Sequence, residues 1–326
     1  MLMLVTGATG KVGRAFLARM SADPSYRAAH FRALCHNRML EPTDRLDVVK
    51  GSISDRAVVE QAMDGVTHVV HLATCKETPD DVMDITVKGM FWLLEAYRES
   101  ATARQFILIG GDAAIGHFFY RTDGPLTEAA PHSAYPGCYA LSKVLEEVML
   151  EQVGIQYGIN HCCLRAPWIM ADDDFRDTLS FGDDVFGGPD WKTMVPAEDA
   201  RRYHLKGTVP LLLDADDQPM KRNFVHVDDL VAAIMAAIDN PKAERQLFNI
   251  GMDRPVDYGE VADYLQRTRG LDSIAIPSPF HSTWLDNSKA KFALDWQPEY
   301  DLERLVEAAW THERAPDNPR VVWYPG

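Results

Sequence analysis

Basic residues are in short supply: 33 lysines and arginines stand against 48 aspartates and glutamates, a formal net charge of −15 over 326 residues, and they form no run. Nucleic acids are held by basic faces that neutralise phosphate, so this balance argues against a nucleic-acid partner. Cysteine is scarce as well. The five present, Cys35, Cys75, Cys138, Cys162 and Cys163, form no CxxC pair and no His/Cys ligand spacing, which argues against a disulfide framework or a metal centre and suits a reduced compartment. No apolar run approaches the ~18 residues of a membrane span, and the apolar opening is too short for a signal peptide. Internal repeats and low-complexity segments are missing too. The expectation is a soluble cytoplasmic protein, long enough for one large core or two modest ones.

Glycine, by contrast, stands at fixed places. Met3-Leu4-Val5-Thr6 is an apolar run of strand length, and Gly7, Gly10 and Gly13 follow at three-residue intervals before the helical pattern Arg14-Ala15-Phe16-Leu17-Ala18-Arg19-Met20. Gly7 turns the chain, Gly10 lets a backbone approach a pyrophosphate, and Gly13 lets the helix lie close on the strand. The free N–H groups of the helix N-terminus then face the phosphates. An ordinary strand-to-helix turn can carry the same glycines. The setting, with a strand before and a helix after, favours a dinucleotide site.

Strand and helix patterns alternate from there. Strands are expected at Phe31–His36, Leu46–Val49, Val66–Ala73, Gln105–Ile109 (stopped by Gly110-Gly111) and Asn160–Leu164, with helices at Ala57–Met63, Val82–Ser100 and Tyr139–Gln152. Such alternation predicts a parallel sheet, and the short, wholly apolar strands predict burial on both faces. From Ala171 to Asp217 the periodicity fades amid Asp, Gly and Pro, marking a second region. The chain returns at Arg222–Leu230, a short strand leading into a helix that Asp228 or Asp229 is placed to cap.

Tyr139-Ala140-Leu141-Ser142-Lys143 sets a phenol and an ammonium four residues apart, on one face of a helix. A free phenol ionises near ~10, so proton exchange near neutrality requires a neighbouring positive charge, which Lys143 supplies.

Together these residues resemble the extended short-chain dehydrogenases/reductases, the NAD(P)-dependent epimerase/dehydratase family. Thr6–Gly13 is similar to its TGxxGxxG, His71-Leu72-Ala73 to its HLA, Tyr139–Lys143 to its YxxxK, Arg222–Leu230 to its RDFVHVDDL and Phe248–Gly251 to its FNIG. Ser288-Lys289-Ala290 with Asp295-Trp296-Gln297-Pro298 is similar to its SKA…LGWxP, so the resemblance covers almost the whole chain. It implies an α/β fold: a Rossmann-type doubly wound parallel sheet (residues 1–170 and 222–250) with a smaller, discontinuous C-terminal substrate domain (171–221 and 251–326). It further implies a homodimer formed through the Val82–Ser100 and Tyr139–Gln152 helices.

By the same resemblance the cofactor is held by Gly7, Thr9, Gly10, Lys11, Val12, Gly13, Leu72, Ala73, Tyr139 and Lys143. The position of the acid that binds the ribose hydroxyls in NAD sites is taken by Cys35, with His36, Asn37 and Arg38 after it and no carboxylate between Phe31 and Arg38. That favours NADP over NAD, Arg38 being either a partner of the 2′-phosphate or a solvated loop cation. Gly51-Ser52 replaces the family's GD and leaves Ile53 at the adenine.

Tyr139 and Lys143 form the catalytic pair that the resemblance implies. The hydroxyl that ends the family's fifth strand is lacking, and Gly111 stands in its place. Asp112 follows, either orienting the substrate as an additional acid or capping the turn. Ser142 is a cofactor or packing contact. Arg222 matches the arginine that reaches the pyrophosphate in nucleotide-sugar epimerases, yet the second such arginine is lacking between Leu271 and Glu303, which points to a smaller sugar, sugar acid or polyol. Three functions are compatible: an NAD(P)-dependent oxidoreductase acting on a carbohydrate-type hydroxyl or carbonyl, a nucleotide-sugar epimerase, and a dinucleotide-binding sensor or scaffold with impaired catalysis.

Overall fold

The structure, a computed structural model, describes residues 1–182 and 189–315. In chain order the first half holds β1 (Leu2–Thr6), α1 (Lys11–Ala22), β2 (His30–Cys35), β3 (Leu46–Lys50), α2 (Arg56–Met63), β4 (His68–His71), α3 (Pro79–Val82), α4 (Gly89–Glu99), β5 (Gln105–Gly111), α5 (Cys138–Tyr157) and β6 (His161–Ala166). The second half holds β7 (Trp168–Met170), α6 (Asp174–Thr178), α7 (Ala197–Lys206), β8 (Val209–Leu213), β9 (Lys221–Arg222), β10 (Phe224–His226), α8 (Val227–Ala237), β11 (Gln246–Asn249), β12 (Val256–Asp257), α9 (Tyr258–Arg269), β13 (Ser273–Pro277), α10 (Ser288–Leu294) and α11 (Leu302–Thr311).

Seven strands form the central sheet in the order β11-β6-β5-β4-β1-β2-β3, every pairing parallel. The fold is therefore Rossmann-like α/β. After β3 the chain crosses back over β1 to lay β4 on its other side, so the strand order reverses between β1 and β4 and a crevice opens at their C-terminal ends. One apolar layer joins one face of the sheet to α1 and α8, and another joins the opposite face to α2, α4 and α5. A separate core gathers Phe118, Phe175, Trp191, Met220, Phe224, Tyr258 and α11 around the parallel pair β8 and β13.

Several element limits differ from the sequence reading, each for a local reason. The helix expected over Val82–Ser100 starts at Pro79 and widens into a π-helical stretch, Met83–Lys88, where the buried Thr86 hydroxyl accepts the Cys75 N–H. Helix α5 does not stop near Gln152 but runs on to Tyr157. Gly154 is inside it because the His161 ring lies 2.1 Å from where a Cβ would stand. Strand β5 includes Gly110 and Gly111. The acidic stretch after Ala171 contains α6, α7 and β8; α7 opens with Glu198 and Asp199 and ends with His204 and Lys206, charges that suit the helix dipole at both ends. Helix α8 begins at Val227, so the cap is His226, whose Nδ1 accepts the Asp228 N–H. Asp228 and Asp229 fall in the first turn, and the Asp229 carboxylate accepts the N–H groups of Glu299 and Tyr300.

An ion pair crosses the core behind the sheet's C-terminal edge. Arg165 of β6, 1 % exposed, donates through Nε and Nη2 to Glu147 of α5 at 3.0 and 2.7 Å and through Nη1 to Asn249 of β11. Burial opposes the Glu147 charge, but hydrogen bonds from His132 and Arg165 hold its carboxyl below the ordinary range. Its contribution to stability is present above the ordinary carboxylate range and lost as pH falls through the depressed value. Arg165→Leu leaves the carboxylate buried with one partner fewer and is expected to lower unfolding stability by about 3–5 kcal/mol at neutral pH. Denaturant unfolding checks this, and an unchanged midpoint would refute it.

Candidate active site

The site forms where β1, β4 and β5 end. Thr6, at the last position of β1, is fully buried, and its hydroxyl accepts the N–H groups of Leu72 and Ala73, each at 3.2 Å. A hydroxyl has two acceptor lone pairs and one proton, so with both lone pairs used it donates to His71 Nδ1, 2.7 Å away. This bonding assigns the Nε2–H tautomer to His71. The glycine loop closes over the same point. Gly7 has φ +66°, and a Cβ there would stand 2.8 Å from the Ala73 nitrogen; at Gly13 a Cβ would stand 2.5 Å from the Gly7 oxygen.

Gly10 is different. A Cβ on it would meet only the Gly7 oxygen, at 3.1 Å, so crowding within the chain explains this glycine least. A glycine directly before the N-terminus of α1, at a crevice where strand order reverses, fits a dinucleotide pyrophosphate. Thr9, Gly10 and Val12 lie half-buried around that terminus. Lys11 directs its ammonium elsewhere, to the Ile169 carbonyl at 3.0 Å and to Asp174 of α6. Farther along the crevice, Leu72 and Ala73 follow β4, while His36, Asn37 and Arg38 lie exposed just past β2, beyond the buried Cys35. Ile53 is turned inward, 6 % exposed and against Gly89 of α4.

Helix α5 brings Tyr139 and Lys143 to the end of β5. A Cβ on Gly111 would lie 3.6 Å from the Tyr139 hydroxyl and 3.6 Å from Lys143 Cγ, so the strand end that lacks a hydroxyl faces the pair directly. The ammonium groups of Lys76 and Lys143 lie 5.1 and 5.7 Å from the Tyr139 ring centre. Glu77, just after Lys76, accepts the Tyr139 N–H. Ser142 is fully buried and donates to the Tyr139 carbonyl, a packing contact. Lys143 forms a 2.8 Å ion pair with Glu146, one turn on and completely buried.

Asp112 does not cap the turn that follows β5. Its carboxylate receives the Nδ1–H of His117 at 2.6 Å, and His117 Nε2 in turn accepts from Arg222 Nη2 at 3.1 Å. Burial, only partly offset by Asp112, pulls His117 down, so the ring is neutral in this chain of bonds. The Arg222 guanidinium lies 3.9 Å from the centre of the Trp168 ring and 4.5 Å from that of Phe118, and burial lowers its pKa despite a hydrogen bond with Tyr258. Asp112 and Arg222 are thus joined through His117. Lys76, Glu77, His117 and Glu146 were not singled out from sequence. Glu146 alone left a trace there, as an acid three residues beyond Lys143.

Among the described residues no group of three or more His, Cys, Asp and Glu side chains could hold a metal, and no helix is long and apolar enough to cross a membrane. All five cysteines are free thiols.

Comparison with known proteins accounts for this architecture. The chain is 23% identical over 350 residues to UDP-glucuronate 4-epimerase 4 of Arabidopsis thaliana, covering 92% of this chain and 72% of that protein. It is 22% identical over 240 residues to the L-arabinose 1-dehydrogenase (NAD(P)(+)) of Haloferax volcanii, covering 69% and 88%. A crystal structure of a short-chain dehydrogenase/reductase superfamily protein from Agrobacterium tumefaciens, with bound NAD, superposes with a TM-score of 0.79 at 23% identity over 95% of this chain and 96% of that one. The family model for the NAD dependent epimerase/dehydratase family matches residues 3–251. The chain belongs to that family and is an enzyme of the extended short-chain dehydrogenase/reductase type.

Proposed function

We propose that this enzyme is an NAD(P)-dependent oxidoreductase that moves a hydride between its cofactor and a carbohydrate-type hydroxyl or carbonyl of a sugar, sugar acid or polyol. The observation that carries the reading is the Tyr139–Lys143 pair set against the bare end of β5, beside a glycine loop shaped for a pyrophosphate. When bound, the nicotinamide dinucleotide accepts or supplies the hydride. Gly7, Gly10 and Gly13, with the backbone of Thr9, Lys11 and Val12, hold its pyrophosphate; Leu72 and Ala73 line the path to Lys143, and Ile53 backs the adenine side. Tyr139 takes or returns the proton at its phenolic oxygen, and Lys143 lends the positive charge that keeps the phenolate accessible. Asp112, fixed by His117, orients the substrate, and Arg222 acts through the same chain of bonds. Positions 1–170 and 222–250 form the cofactor unit in this reading, and 171–221 with 251–326 the substrate unit.

The likeness to a UDP-glucuronate 4-epimerase supports a second reading, a nucleotide-sugar epimerase. Against it, Arg222 is already engaged by His117 and Tyr258 and enclosed by aromatic rings, a poor state from which to grip a diphosphate. Screening sugars, uronates and polyols for reduced-cofactor formation separates the two, since epimerisation leaves no net reduced cofactor.

Three measurements test the reading. Titrated by tryptophan fluorescence, NADP binds more tightly than NAD, because no carboxylate stands between Phe31 and Arg38 to repel a 2′-phosphate; Gly10→Val abolishes binding of both while leaving the fold intact. Tighter NAD binding would overturn the preference, and unchanged affinity in the variant would overturn the site.

With a substrate found, Tyr139→Phe lowers turnover by ~10²–10⁴-fold with nearly unchanged cofactor affinity, and Gly111→Ser, for which there is room, preserves or raises the rate. Equal turnover in Tyr139→Phe would move the proton transfer to Asp112.

Light scattering at micromolar concentration gives a dimer mass. Helices α4 and α5 leave Phe91 and Leu141 43% and 50% exposed, apolar surface suited to pairing of two copies. A monomer mass would rule this out.

A further inference from the structure

Behind Lys143 lies a second set of buried polar groups that the proton transfer itself does not use. Glu146 and His71 are 0% exposed in their side chains, and neither Glu146 oxygen nor His71 Nε2 has a hydrogen-bond partner of good geometry. Yet the three charged or polar heads converge: Glu146 Oε2 is 2.8 Å from Lys143 Nζ, and Glu146 Oε1 is 3.7 Å from His71 Nε2. The Thr6 hydroxyl, by donating to Nδ1, turns the Nε2–H of His71 toward that carboxyl. A carboxyl placed one turn beyond the catalytic lysine, with nothing but apolar packing and a neutral imidazole behind it, is costly to bury.

We propose that Glu146 is a positioning residue of the proton-transfer pair: backed by His71, it holds Lys143 and offsets its charge, so that the positive field at the Tyr139 phenol is set by whether Glu146 carries a proton. The proposal rests on the reading of Tyr139 and Lys143 as the acid/base pair. Burial, opposed by Lys143, pushes the Glu146 carboxyl up to about 7, whereas burial and the Lys143 charge bring His71 down to about 3. Near neutrality the proton is therefore shared between solvent and Glu146, and His71 stays neutral. The groups facing Glu146 are Lys143 and Glu147 on its own helix, His71 from β4 and the Cys163 thiol from β6. Glu147 is already paired with Arg165 and hydrogen-bonded to His132, and burial keeps the Cys163 thiol protonated.

The sign follows from these charges. As pH falls through neutrality Glu146 gains a proton, Lys143 acts on Tyr139 without offset, and ionisation of the phenol is favoured when solution conditions oppose it. As pH rises the carboxylate returns and restrains it. Glu146 thus flattens the dependence of the phenol on pH.

The test reads the phenol directly, with NAD(P) bound and without. Ultraviolet difference titration of wild type against Tyr139→Phe isolates the tyrosinate signal of residue 139, and the same pair is built on Glu146→Gln. The expected result is that in Glu146→Gln the signal appears at lower pH by about one unit or more, the size of an adjacent-charge effect. No shift would reduce Glu146 to packing. A shift upward would mean that its task is to keep Lys143 charged, and would also overturn the proposal. If Tyr139 of the wild type ionises no earlier than a free phenol, the acid/base reading itself fails, a result distinct from either. Should Glu146→Gln not fold, infrared pH-difference spectra of wild type labelled with [13C]glutamate decide. Among the described residues Glu146 and Glu147 are the buried glutamates, and Glu147 stays ionised. A protonated glutamate band that vanishes as pH rises through about 7 supports the proposal, and its absence on the acid side of that range refutes it.

Discussion

One hydroxyl fixes the geometry of the candidate site. Thr6 uses every bonding capacity it has, two lone pairs and a proton, on groups from β4 and the loop beyond it. That ties the ends of the two strands between which the sheet changes direction and sets the width of the crevice. Gly7 must then pass within van der Waals reach of Ala73, where only a residue without a side chain fits. The same bond sets the tautomer of His71, and so what Glu146 meets behind Lys143. A valine at position 6 would keep the shape of the strand and lose all of this.

Helix α5 is the second constraint. Its inner face carries Lys143, Glu146 and Glu147 into an apolar layer, each 5% exposed or less. Charges in such a place are tolerated only when paired: Lys143 and Glu146 pair with each other on the helix, with neutral His71 of β4 behind them, and Glu147 pairs with Arg165 of β6. The helix is therefore indexed against the sheet by polar contacts as well as by packing. This matters for Tyr139, which stands near the start of the helix, where a small rotation would move its hydroxyl off the end of β5.

The parts legible in the sequence are those that depend on local chain geometry. Glycine spacing reports a turn and two close approaches, and a four-residue interval between Tyr139 and Lys143 reports a shared helix face. Alternating apolar runs reported the parallel sheet. What escaped notice depends on partners distant in sequence. The helix that the sequence placed only as far as Gln152 runs on past Gly154, whose missing Cβ leaves the space that the His161 ring fills. His117 is an unremarkable histidine until it links Asp112 to Arg222 across more than a hundred residues. The short helices after Ala171 were hidden because their apolar faces are brief, although the acids opening α7 marked its start.

The glycine that ends β5 bears on which molecules can react. Its surroundings would admit a side chain, so the missing hydroxyl is not the result of crowding. If Tyr139 and Lys143 are the proton-transfer pair, one corner of the reaction chamber is left unfurnished, and a further donor to the reacting oxygen would have to come from elsewhere than that strand end. On the proposed reading of a polyhydroxylated substrate, a neighbouring alcohol of that substrate would be such a guest. Selection would then fall on the stereochemistry of adjacent carbons, with a deoxy analogue excluded not by a clash but by the bond it fails to bring.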